Sequence, residues 1–223
     1  MITENRYPIL EFDDSGVAKL NPTTFVERPF DTDRMVITFF PEVIDRLREE
    51  GRIAHERTIG GENPVEIYRF EDADVLITLG QVGCPACAGN LDLFNAMGIT
   101  RAMFCGGGGV LDRNIEVGQI LVVDGAIRDE GFSYHYFAPA RCIYTEPEVT
   151  DRIARRRDEG AKIVEMEQAG CIAVARFRGF AYGALIYGGD DVSQEEWSNR
   201  SWRSRKGIRY DLVTLCKRLV EMI

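Results

Sequence analysis

Short apolar runs alternate with amphipathic stretches along most of this chain, and that alternation limits the folds open to it. MVITFF (35–40) reads as a strand, and PEVIDRLREEG follows at helical spacing, with Pro41 near its start and Gly51 past its end. VEIYRF (65–70) and DVLITLG (74–80) read as paired strands. PACAGNLDLFNAMG reads as a second helix, with Pro85 in its first turn and Gly98 at its stop. RAMFC (101–105) is a short buried strand that runs into four glycines, Gly106 to Gly109; QILVVDGAIR (119–128) and GALIYGG (183–189) are further strands. Met166, Ala169, Gly170, Ala173, Val174 and Phe177 recur at helical spacing before Gly179, and DLVTLCKRLVEMI is a closing helix. Strands that alternate with helices in this way predict an α/β domain with a largely buried sheet. No repeat or low-complexity linker divides the pattern, so residues 1–223 read as one domain.

Composition narrows the partners. No apolar run approaches the roughly 20 residues of a membrane span. MITENRYPIL also lacks the charged-then-apolar order of a signal peptide, so a cytoplasmic protein without membrane contact is expected. A net charge of -9 argues against nucleic acid as a general partner. The basic stretches Arg152 to Arg157 and Arg200 to Arg209 alternate with acids or polar residues and read as solvated helix faces. Cysteines 84, 87, 105, 142, 171 and 216 sit mostly in apolar company, as buried free thiols of a reducing compartment do. Cys84 and Cys87 form CPAC, a redox or zinc spacing. A structural zinc needs four ligands, and the chain offers no second CxxC and only His55 and His135. No metal and no resident cofactor is expected.

Ligands of such folds gather at the carboxyl ends of the strands. Three strands have unusual endings: Gly106 to Gly109, AIRDEGFSYHY, and GGDD at 188–191. The glycine run either turns tightly or lets a ligand approach the backbone. No Lys-Ser/Thr follows it, so it is not a P-loop, and it lacks the spacing of a dinucleotide fingerprint. IVEMEQAG (163–170) holds Glu165 and Glu167 with no cation inside the stretch, where the chain enters a mostly buried helix. In an extended entry, positions i and i+2 point the same way, so both carboxylates could address one ligand with adjacent hydroxyls, such as a ribose. The alternative is that one of them caps the helix N-terminus, where negative charge is favourable.

VEMEQAG, CGGGGVLD (105–112), AIRDEGFSYHYFAP (126–139) and YGGDDVSQEEW (187–197) occur in an order that resembles the nucleoside phosphorylase superfamily, in particular its uridine-phosphorylase-like branch. The resemblance runs from about Val75 to Trp197. It implies an α/β fold whose central, mixed, partly barrel-like sheet is flanked by helices, and a homo-oligomer of two to six chains. It also implies cleavage of the N-glycosidic bond of a nucleoside through an oxocarbenium-like sugar, with inorganic phosphate as co-substrate where the reaction is phosphorolytic. Residue by residue, Met166 and Glu167 would hold the ribose, with Glu165 the neighbouring acid. Asp190 would protonate the leaving base, with Asp191 as the alternative acid. Gly106, Gly107 and Gly108 would lie by the phosphate. Phe132, Tyr134 and His135 stand nearby as candidates to line the base pocket, the alternative being alternating strand aromatics that belong to the core or a subunit interface.

The chain also departs from that pattern. The family's arginine on the strand before the glycine run falls at Phe104, its hydroxyl residue in that run falls at Gly107, and its N-terminal GDPxR loop is matched only loosely by DTDR (31–34). Arg28, Arg34, Arg101 and Arg128 are the arginines left to grip phosphate, and Arg128 is the expected one. Region 140–164 is too short for the family's further helix, strand and base-stacking aromatic, which leaves base specificity open. The resemblance favours phosphorolysis, which is the expected reaction, while the missing phosphate ligands favour the alternative of a hydrolytic nucleosidase; a non-catalytic nucleoside-binding or storage protein is the other alternative.

Overall fold

A computed structural model describes residues 3–15, 18–26, 28–61, 63–145, 160–194 and 196–223. The stretch Arg152 to Arg157 lies outside the described residues. β1 (Arg34–Thr38) leads into α1 (Pro41–Glu49), which starts at Pro41, buries Val43, Ile44 and Leu47, and ends before Gly51 at φ 64°. Proline fits a first helical turn because its missing N–H would have no intrahelical partner there. Next come β2 (Ile53–Ile59), β3 (Val65–Phe70), β4 (Leu76–Leu79), α2 (Cys84–Ala96) and β5 (Arg101–Val110). Three short strands follow: β6 (Ile120–Val122), β7 (Gly125–Ile127) and β8 (Cys142–Tyr144). β9 (Ile163–Val164), α3 (Gln168–Arg178), β10 (Ala181–Asp191) and α4 (Lys206–Leu219) complete the described elements.

One mixed sheet runs β2-β3-β4-β1-β5-β10-β6, with β9 added on β5. Its centre, β4-β1-β5-β10, is parallel, while β2, β3, β6 and β9 pair antiparallel. Parallel strands must be covered on both faces, and alternate side chains are. Met35, Ile37, Phe104 and Ile186 pack under α2 and α3, whereas Val36, Cys105, Leu185 and Tyr187 pack under α1 and α4. The expected α/β architecture with a central mixed sheet between helices is the one found. β2 has no strong alternation in sequence and is added by pairing with β3.

Two readings change. QILVVDGAIR is not one strand but two, β6 on the main sheet and β7 in a separate pair with β8. The stretch Arg200 to Arg209 is not uniformly solvated: Arg209 is buried, and Arg200 Nη2 donates to the Ile115 carbonyl at 2.8 Å. Among the described residues, no helix is long and apolar enough to cross a membrane, and no group of three or more His, Cys, Asp or Glu could hold a metal ion. The CPAC thiols are buried in the α2–α3 contact. Cys84 Sγ accepts the Gly170 N–H at 3.1 Å, Cys87 Sγ lies 3.7 Å from Cys171 Sγ, and burial pushes the Cys84 thiol far up.

Candidate active site

The four glycines do not turn; they continue β5 as extended strand to Val110. A strand has two edges. β10 takes one of them as far as Val110, and β1 takes the other only as far as Cys105. On the edge that β1 vacates, Val164 pairs with Gly109 and Ile163 with Val110. A Cβ on Gly108 would lie 2.9 Å from the Val164 carbonyl oxygen and 2.7 Å from Ile163 Cγ2, so any side chain there would push β9 away. Absence of a side chain is what lets Glu165 to Glu167 arrive beside the end of β5.

Glu165 then does what a capping residue does. Its carboxylate accepts the Glu167 N–H at 2.7 Å and the Gln168 N–H at 2.8 Å, two donors at the start of α3 that have no intrahelical partner. The two acids therefore do not point alike, because Glu165 is drawn onto the helix N-terminus. Burial pushes its pKa up to about 7, against the lowering effect of those two N–H groups, and the neighbouring Glu167 charge adds to the rise. Glu167 is buried and reaches across to α2: its Oε1 accepts the Gly83 N–H at 2.7 Å, and its Oε2 accepts the Met166 N–H at 3.3 Å. Burial raises its pKa too, opposed by the same two N–H groups. Each carboxylate oxygen has two lone pairs, so acceptor capacity remains for hydroxyls. Met166 between the acids is 58% exposed and open to a ligand.

On the other edge of β5 the register of β10 shifts between Gly188 and Asp191, a bulge at the GGDD stretch. Asp190 Oδ1 comes within 3.6 Å of where a Gly109 Cβ would stand. Ser198 pairs back with Asp191, which brings Trp197 over so that its Nε1 donates to Asp190 Oδ2 at 2.8 Å. Asp191 is turned into its own loop, with Oδ1 accepting the Ser193 N–H at 2.8 Å and the Ser193 hydroxyl at 2.6 Å; the hydroxyl bond is the chief cause of its lowered pKa. Of the two aspartates, Asp190 is the one beside the glycine run.

Other candidates divide. Phe132 lies against Gly170, one turn into α3 from Glu167, and its ring is 4.9 Å from Tyr136. His135 is exposed on a short 3-10 helix (Ser133–His135) rather than on a strand. Tyr134 stacks on Arg128. Arg128 is buried and engaged by its own loop: Nε donates to Ser133 Oγ at 2.8 Å, Nη1 to the Ala138 carbonyl at 2.7 Å and Nη2 to the Phe137 carbonyl at 2.9 Å. Its fork is closed by protein acceptors, contrary to the expectation that it grips phosphate. Arg34 and Arg101 begin β1 and β5, and at about 3.3 Å per residue Arg101 lies about 20 Å from Gly107. Arg101 is bound instead to both oxygens of Asp33, at 2.9 and 2.7 Å.

Cations come to the glycine run from the stretch Arg200 to Arg209, which the sequence pattern predicts to be a solvated face. A cavity of about 410 Å³ opens just past the end of β1, beside Gly107 of β5. Phe39, Phe40 and Trp202 form its apolar wall, Gly107 reaches it from β5, and Glu42, Arg203, Lys206 and Arg209 supply its charges. Arg209 is buried; its Nε donates to the Tyr187 hydroxyl at 3.0 Å and its Nη1 to Glu42 Oε1. Burial alone would lower the Arg209 pKa, and these two partners outweigh it. A signal for this residue exists in the sequence. Arg209, Leu212, Val213 and Cys216 fall at i, i+3, i+4 and i+7, which puts a cation on the buried stripe of α4.

Comparison with known proteins adds relatives. The family model described as Phosphorylase superfamily matches residues 33–156. The chain is 26% identical over 146 residues to a guanosine phosphorylase of Halorubrum lacusprofundi, a match spanning 52% of this chain and 61% of that protein. In fold it is similar to a purine nucleoside phosphorylase from Toxoplasma gondii solved with immucillin-H (TM-score 0.64, 11% identity, 86% of this chain and 93% of that one). It is also similar to a 5'-methylthioadenosine/S-adenosylhomocysteine nucleosidase from Helicobacter pylori (TM-score 0.62, 16% identity, 87% and 100%).

Proposed function

Because this chain belongs to the phosphorylase superfamily, we propose that it cleaves the N-glycosidic bond of a nucleoside by phosphorolysis. The observation that carries this reading is convergence: Glu167 with Met166, the glycine run, and Asp190 meet at the carboxyl end of β5 from three separate stretches of chain. Glu167 accepts hydrogen bonds from the ribose 2′ and 3′ hydroxyls, with Met166 against the sugar. As the bond from C1′ to the base lengthens, positive charge develops on the sugar, and a buried carboxylate close by stabilises it. Asp190 gives the departing base its proton or a strong hydrogen bond. Phosphate attacks C1′, and the products are free base and sugar 1-phosphate. A homo-oligomer acting in the cytoplasm, formed from a single-domain chain, belongs to the same proposal.

One feature favours water as the nucleophile instead. Phe39 and Phe104 lie beside Gly106 with ring centroids 5.0 Å apart and planes tilted by 40°, and a phenyl ring holds no anion. The two routes separate in one experiment: base release from purine and pyrimidine nucleosides with and without phosphate, followed by chromatography of the sugar. Sugar 1-phosphate formed only with phosphate is the expected result. Free ribose regardless of phosphate would replace phosphorolysis by hydrolysis. Tight nucleoside binding without base release would overturn the enzymatic reading.

A further inference from the structure

We propose that the cavity beside Gly107 is an oxyanion site built by the C-terminal helix, taking a phosphate group through Arg209, Lys206 and Arg203. Its role as a co-substrate site rests on the phosphorolytic reading; its binding of a phosphate group does not. Three cations face one carboxylate, Glu42, across about 410 Å³, an excess of two positive charges in a chain whose net charge is -9. Lys206 and Arg209 lie three apart on α4, and Arg203, on the short 3-10 helix Trp202–Ser204 that precedes it, lines the same cavity.

Arg209 is the anchor. Only 7% exposed, it is held from two sides by Glu42 and the Tyr187 hydroxyl, and its guanidinium lies 4.9 Å from the centroid of the Trp202 ring. Among the described residues no acceptor takes Nη2, although that nitrogen belongs to a side chain lining the cavity. A buried arginine fixed on two nitrogens and open on the third is preorganised for an oxygen ligand, because it loses little freedom on binding. Gly107 keeps the space clear. A Cβ there would stand 2.8 Å from Tyr187, the ring that positions Arg209. Phe39 belongs to the α2–α3 side of the sheet and Phe40 to the α1–α4 side, and both line the cavity. The cavity thus reaches round the end of β1 from one face to the other.

The group bound is phosphate, either free or carried by a nucleoside. Titration calorimetry with inorganic phosphate and with guanosine and uridine 5′-monophosphates, on the full chain, separates the two. The double variant Arg203→Ala/Lys206→Ala removes exposed cations only, and Arg209→Lys keeps the charge while removing the fork. Either change should weaken binding of the phosphate-bearing probe about tenfold or more, with the melting temperature of the double variant unchanged. Weakened inorganic phosphate binding identifies free phosphate as the ligand; an effect on the monophosphates alone identifies a phosphate carried by substrate. Unchanged affinity in both variants, or no binding of any probe to the wild-type chain at millimolar concentration, overturns the proposal. Base release that persists with an unchanged phosphate KM in both variants would sink this site as the co-substrate site and leave the enzymatic reading standing. Lost phosphate binding in a chain that releases no base would do the reverse.

Discussion

Glu167 and Gly83, 84 positions apart, join the N-termini of α3 and α2 through one hydrogen bond of 2.7 Å from the Gly83 N–H to Glu167 Oε1. The side chain that is to hold the sugar is thereby fixed by the backbone of another helix, so binding and structure can be separated by substitution. Glu167→Gln keeps an acceptor for Gly83 and loses the negative charge. It should melt within a few degrees of wild type yet turn nucleosides over about a hundredfold more slowly, equivalent to about 2.7 kcal/mol of transition-state stabilisation. Glu167→Ala should in addition lose about 1 kcal/mol of stability, since it leaves the half-buried Gly83 N–H without its acceptor. Near-normal turnover in the glutamine variant would remove Glu167 from the sugar site.

Glu165 makes stability depend on pH. Its folded pKa of about 7 lies above its ordinary value of 4.5. The native state therefore holds this proton more tightly than the unfolded chain does. The stabilisation linked to it is complete below about pH 4.5 and is lost as pH rises through 7. Glu165→Gln cannot ionise. The difference in melting temperature, variant minus wild type, should become more positive from pH 5 to pH 8, and calorimetry at three pH values reads it. A difference that stays constant across that range would mean that Glu165 does not titrate there in the folded chain.

Asp190 tests the base. If it protonates the leaving group, Asp190→Asn should slow purine nucleosides about a hundredfold and uridine far less, because a neutral amide cannot donate the proton in the same way. Equal losses on both classes would reduce Asp190 to the partner of Trp197 that its 2.8 Å hydrogen bond makes it.

Gly108 and Gly109 differ in what a methyl group would meet. At Gly108 it would press on the Val164 carbonyl at 2.9 Å, whereas at Gly109 its nearest neighbour is a Val192 methyl at 3.3 Å. Gly108→Ala should cost about 1–3 kcal/mol and lower turnover by displacing Glu165 to Glu167. Gly109→Ala should cost less on both counts. Parallel melting and activity assays decide it, and a fully active, fully stable Gly108→Ala would show that β9 tolerates the shift.

The periodic elements were legible because their signals are local. Pro41 and Gly51 bracket α1, Gly179 at φ 73° ends α3, and the apolar runs of β1, β5 and β10 are long enough to require burial on both faces. β2, β8 and β9 were not legible, since strands of weak alternation or of two or three residues exist only through the partners they pair with. The identity of the acids was readable from IVEMEQAG; their division of labour was not.

What the sequence by itself determined is the set of elements, the pairing of Glu165 with Glu167 at a helix entry, and a strand that loses its side chains at Gly106. What only the tertiary structure decided is which groups meet across long stretches of chain. Glu42 reaches Arg209 over 167 positions, Gly83 reaches Glu167 over 84, and Arg128 turns away from any ligand because carbonyls 9 and 10 residues on complete its fork. The physical reason is that hydrophobic period and capping are written within one or two turns of chain. A buried donor must instead be satisfied by whichever acceptor the packed sheet brings within about 3 Å, and that acceptor is chosen by the path of the whole chain.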